Sequence, residues 1–98
     1  MTEKLKMVRG SGNVFLDLGY SREDAQNLIL RSDLMSRIER YVRSSGLSQK
    51  DCAARMGVTQ PRLNDLMKAK IDKFSLDALV NMLGHVGMRV ELKVKRAA

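Results

Sequence analysis

The sequence predicts a mainly α-helical bundle of about five helices closed by a C-terminal β-strand. Three observations predict it. Gln49 to Met67 reads as two short helices joined by a tight turn. Apolar residues on either side of that unit recur at helical spacing. Met88 to Lys95 then switches to strict alternation, the period of a half-buried strand.

The central unit is the most specific. Gly57 is its pivot, because a turn between steeply crossing helices often needs a positive φ. Ala53 lies one helical turn earlier, where a small residue allows close approach of the second helix. Cys52, Met56, Val58, Leu63 and Leu66 are apolar at the inward positions. Ser48 is placed to cap the first helix, with Asp51 at capping-box spacing. Thr59 is placed to cap the second, and Pro61 falls in its first turn, where a missing N–H costs little. This pattern resembles the DNA-binding helix-turn-helix, with the motif at residues 48–68. Residues 47–83 together resemble the phage-repressor-like, or XRE (Cro/repressor), family. The resemblance implies a phage-repressor-like helix-turn-helix bundle.

At 98 residues the chain is expected to form one small domain. Hydrophobic residues make up 44%, enough for a modest core. The net charge of +7 favours an acidic partner: nucleic acid, an anionic membrane or an acidic protein. No apolar run is long enough to span a bilayer. The N-terminus, MTEKLKMVRGSGNVF, has no apolar core of a secretory signal. One cysteine forms no internal disulfide, and Cys52 with seven methionines suits a reducing cytoplasm. The expected location is therefore cytoplasmic and nucleoid-associated.

In chain order, residues 1–12 read as a flexible basic arm, with Lys4, Lys6 and Arg9 against Glu3. It is either a frayed terminus or an arm that touches DNA. Residues 13–98 read as the single helix-turn-helix domain. Asn13 to Gly19 (NVFLDLG) is either a strand or an apolar loop. Ser21 with Asp24 repeats the capping-box spacing. Arg22–Leu30 and Asp33–Ser44 follow as two helices or one kinked helix, with a break expected near Ser32-Asp33 and a stop at Gly46. Arg31, Arg37, Arg40 and Arg43 read as a solvated face. Ala69 to Phe74 is a lysine-bearing loop. Ser75 caps a last helix, Leu76–Val86, whose apolar face is Leu76, Leu79, Val80, Leu83 and Val86. The strand spans 88–95. Its partner is either the NVFLDLG stretch or the same strand in a second copy, so Met88, Val90, Leu92 and Val94 are candidate dimerisation residues of a homodimer.

The order NVFLDLG, helix, GLSQ, MGVTQPRLNDL, FSLDALVNML, GMRVELKV also resembles the HigA-like antitoxin branch of the XRE family, over about residues 13–95. That resemblance implies a DNA-binding antitoxin that represses its own operon and neutralises a RelE/HigB-like toxin. Some members of the branch are plain regulators.

Catalytic chemistry finds no support. The sole histidine, His85, has no Cys or His at metal-ligand spacing, and no phosphate loop or paired nucleophile and base is visible. No cofactor, no metal and no enzymatic activity are expected. DNA contacts are better placed. In a helix-turn-helix the second helix enters the major groove with its N-terminal residues on base edges. Thr59, Gln60, Arg62, Asn64 and Asp65 are the base-reading candidates: Gln60 suits adenine, Arg62 guanine, and Asp65 the cytosine amino group. Arg62 and Asp65 also have the spacing of an i,i+3 ion pair. Gln49, Lys50, Lys68, Lys70, Lys73 and Ser75 are the phosphate candidates, at the edges of the motif. The expected function is a sequence-specific transcriptional repressor acting as a type II antitoxin. The alternatives are a stand-alone regulator of the XRE type and a basic protein-interaction module without an operator.

Overall fold

The computed structural model describes residues 14–96, so the arm assigned to residues 1–12 lies outside the described residues. Five α-helices stand among the described residues: α1 (Val14–Asp17), α2 (Arg22–Ser44), α3 (Gln49–Met56), α4 (Gln60–Met67) and α5 (Leu76–His85). A 3-10 turn, Ile71–Lys73, joins α4 to α5.

Four of the helices begin the same way. Ser21, Ser48, Thr59 and Ser75 each accept a hydrogen bond from the backbone N–H three residues on, at 3.1, 3.1, 3.3 and 3.2 Å. Each satisfies one of the donors that a helix start leaves open. Each cap is also preceded by an apolar residue and followed four positions later by a buried one: Tyr20 with Ala25, Leu47 with Cys52, Val58 with Leu63, and Phe74 with Leu79. That is the spacing of a hydrophobic staple, which fixes the angle at which the chain enters each helix.

The expected break in the long helix does not occur. Ala25, Leu28, Met35, Ile38 and Val42 are all buried, and with half-buried Ser32 they make one stripe in steps of three and four. A stripe that never changes face gives the helix no reason to stop. Asp33 is buried in mid-helix instead of capping a second one. Against this stripe α3, α4, α5 and Phe74 just before α5 assemble a core of Cys52, Met56, Leu63, Leu66, Phe74, Leu79, Met82 and Leu83. Of the face expected for α5, Val80 is 39% exposed, and Met82 is buried in its place.

The expected C-terminal strand is absent, and the N-terminal stretch read as strand or loop is neither. Val14 to Asp17 forms helix α1, whose turn closes through the Leu18 N–H to the Val14 carbonyl at 3.0 Å. Gly19, at φ +96°, ends it in a conformation a side chain would oppose. Residues 88–96 form no strand, and none is present among the described residues. A strand needs a partner for its backbone donors and acceptors, and with the first segment helical the last one has none among the described residues. Met88 and Val90 instead lie against the core, with the Met88 N–H on the Leu83 carbonyl at 3.0 Å. Leu92 and Val94 are 77% and 91% exposed.

Candidate nucleic-acid interface

α3, the turn at Gly57 and α4 form a helix-turn-helix. Gly57 sits at φ +73° and its N–H reaches the Ala54 carbonyl at 3.2 Å, while Val58 N–H reaches Ala53 at 3.0 Å. Ala53 is 2% exposed, as a close crossing of two helices requires. The His85 ring lies over Gly57: a Cβ there would sit 3.0 Å from Nε2. The opposite ring nitrogen, Nδ1, is 2.8 Å from the Asn81 carbonyl, which holds the ring in place.

Leu63 and Leu66 turn α4 inward, at 0% and 2% exposure. Thr59 and Gln60 are exposed at its start, and Asn64 and Asp65 are half-buried along it. Thr59 spends its hydroxyl oxygen as the cap. Lys50 is exposed and Gln49 half-buried in the first turn of α3. Lys68, Lys70, Lys73 and Ser75 are exposed on the segment that leaves α4.

The expected Arg62–Asp65 pair is replaced by two separate arrangements. The Arg62 guanidinium lies 4.4 Å from the centre of the Phe74 ring and donates to the Lys73 carbonyl at 3.2 Å. The Asp65 carboxylate takes two lysines, Lys70 Nζ on Oδ1 at 3.4 Å and Lys73 Nζ on Oδ2 at 3.6 Å. Desolvation opposes ionisation of Asp65, but Lys70 and then Lys73 outweigh it and hold the carboxyl below its ordinary value of 3.8. Because the folded value is the lower one, this pairing supports the fold above the unfolded-state pKa. The support is lost as the pH falls through the folded value.

Arg31 is the residue that sequence reasoning missed. From α2 its Nη1 donates to the Ile71 and Phe74 carbonyls, both at 3.2 Å, while Nε donates to Asn27 Oδ1 at 2.7 Å. Nothing in a stripe of arginines marks one that reaches a turn 40 residues away. Phe74, 1% exposed, was legible as the apolar residue before the Ser75 cap, the first half of a staple. The turn from Ile71 to Phe74 is therefore braced by two guanidinium groups on three carbonyls, with half-exposed Lys70 and Lys73 reaching Asp65 at its edge.

No cluster of three or more His, Cys, Asp or Glu able to hold a metal ion occurs among the described residues. No helix among them is long and apolar enough to cross a membrane. Cys52 is fully buried, with its sulfur 3.3 Å from Ser45 Oγ, and serves the core.

No curated protein matches the chain. A family described as a helix-turn-helix domain matches it over residues 14–95, nearly all of the described length and including both halves of the motif. The chain belongs to this helix-turn-helix domain family.

Proposed function

We propose that the protein is a sequence-specific DNA-binding transcriptional repressor. The observation that carries this is the placement of an exposed α4 start beside a rigidly braced turn bearing Lys70 and Lys73, in a chain of net charge +7. Base reading is assigned to Thr59, Gln60, Arg62, Asn64 and Asp65, and backbone contacts to Gln49, Lys50, Lys68, Lys70, Lys73 and Ser75. Phosphate contacts fix register and base contacts carry the sequence.

Gln60→Ala is the clean test of base reading, because Gln60 is exposed and lies outside the core. It is expected to cost about 1–3 kcal/mol on the preferred site and to relax preference at one base position. Lys73→Ala is expected to weaken binding and to flatten the salt dependence by about one unit. Binding to a selected duplex and a scrambled one, titrated against salt, separates the two. Equal preference before and after Gln60→Ala would remove α4 from the groove. Arg62→Ala is a poorer probe, since it also uncovers Phe74.

A reader of two half-sites gains by presenting two α4 helices about one DNA turn, roughly 34 Å, apart. The unpaired tail supports a homodimer in which Met88, Val90, Leu92 and Val94 pair with their copies. Met88 and Val90 also pack on the chain's own core, so truncation after Val90 is preferable to truncation before Met88. The shortened chain is expected to stay folded, to sediment as a monomer and to bind DNA more weakly. A full-length chain that is itself a monomer at about 50 µM, a concentration at which an ordinary stable dimer is assembled, would refute the dimer.

The antitoxin reading draws its support from the surface of α1. Val14, Leu16, Leu18 and Tyr20 are 43%, 43%, 69% and 48% exposed, an apolar patch on the α1 and α1–α2 segment. Phe15 is less available, being half-buried with its ring edge-on to Tyr20 at a centroid distance of 6.2 Å. The patch suits a RelE/HigB-like toxin held by apolar burial. Co-expression with the neighbouring gene tests it: a salt-resistant complex is expected. No complex, with a neighbour harmless on its own, leaves a stand-alone regulator.

A further inference from the structure

We infer that Asp65 is a specificity-determining positioning residue, whose carboxylate holds Lys70 and Lys73 on the protein and yields them to DNA phosphates only where a base edge takes the carboxylate over. The inference rests on the DNA-binding reading above and deepens it.

The geometry separates what can move from what cannot. The backbone of the turn is fixed. Ala69 adopts φ +60°, a left-handed conformation that a non-glycine residue holds only when its surroundings impose it. The Lys70 N–H then reaches the Asp65 carbonyl at 3.1 Å, and Arg31 and Arg62 hold the Ile71, Phe74 and Lys73 carbonyls. The lysine side chains are not fixed. They are 44% and 50% exposed, each on its own Asp65 oxygen at 3.4 and 3.6 Å, and exposed pairs of this length are weak enough to exchange partners. A duplex that approaches α4 therefore competes with Asp65 for both ammonium groups.

The competition has a consequence that depends on sequence. When the lysines swing to phosphates, Asp65 is left charged beside a negative backbone. A cytosine N4 amino group at the right position can donate to it and remove the penalty. At any other base the carboxylate stays unpaired, and the complex is repelled. Discrimination then comes from a repulsive element against wrong sites, with the two lysines as its lever.

The test uses the full chain with a random-sequence duplex and with a duplex selected by the wild-type protein from a random library. Asp65→Asn keeps the shape and removes the charge. It is expected to bind the random duplex about tenfold tighter, with a log–log salt slope steeper by about one unit for each lysine freed. The ratio of selected to random affinity falls accordingly. In a Lys70→Ala/Lys73→Ala background the same substitution is expected to give a clearly smaller gain and no steeper slope. Unchanged random-duplex affinity and slope in Asp65→Asn, with the wild type still selective, overturns this inference and spares the DNA reading. An equal gain without the lysines also overturns it, because the effect is then one of net charge. A wild type that binds no duplex overturns both.

Discussion

Phe74→Ala is expected to destabilise the domain by about 3–5 kcal/mol, the range for emptying a well-packed aromatic site. For a domain of this length that is a large part of the whole, since stability runs at roughly 0.05–0.15 kcal/mol per residue. The ring is 1% exposed and belongs to the same buried cluster as Ile38, Leu63 and Leu79. Its loss acts on three elements at once. Arg62 loses the face it stacks on, a contact worth about 0.5–1 kcal/mol where solvent reaches it. The start of α5 loses its staple, and the lysine turn loses the anchor between its two braces. Thermal unfolding of Phe74→Ala and Phe74→Leu decides the matter. The leucine variant, which refills part of the volume, is expected to lose much less than the alanine variant, whose Tm is expected to fall by about 4–8 °C for each kcal/mol lost. An alanine variant that melts with the wild type would show that the ring is not a keystone of the core.

Gly57→Ala is expected to cost about 1–2 kcal/mol, the penalty of a side chain in the left-handed region. For a chain of this size each kcal/mol corresponds to about 4–8 °C in Tm. Two effects compete to set that cost. The backbone stands at φ +73°, and an added Cβ would lie 3.0 Å from His85 Nε2. The ring is the end of a side chain and can tilt by a few tenths of an ångström, although its Nδ1 contact to Asn81 at 2.8 Å resists. The backbone has no such freedom, so the conformational term dominates. His85→Ala in the Gly57→Ala background is therefore expected to recover only a minor part of the loss, and Gly57→Asn to be milder than Gly57→Ala because asparagine tolerates this region. Full recovery in the double mutant would reverse the assignment and make the clash, not φ, the reason for glycine.

What the sequence determined by itself was local. Ser21, Ser48, Thr59 and Ser75 each sit within three residues of the donor they satisfy, and Gly57 needs only its own φ. Such features are encoded over a single helical turn, so their residues announce them. The helix-turn-helix was legible for the same reason, as was the inward set Cys52, Met56, Leu63 and Leu66. The tertiary structure decided everything that depends on a distant partner. Val14 to Asp17 reads as strand or loop from its residues alone, and the folded chain makes it α1. Met88 to Val94 alternates as a strand should, yet alternation states only which side chains share a face. Arg31, Arg62 and Asp65 were visible as charges, but their partners were not. Arg31 finds carbonyls 40 and 43 residues away, and Asp65 prefers Lys70 and Lys73 to the arginine one turn before it. A charge attracts any opposite charge in reach, and which one is in reach is set by how α4, the turn at Ala69 and the long helix α2 pack together.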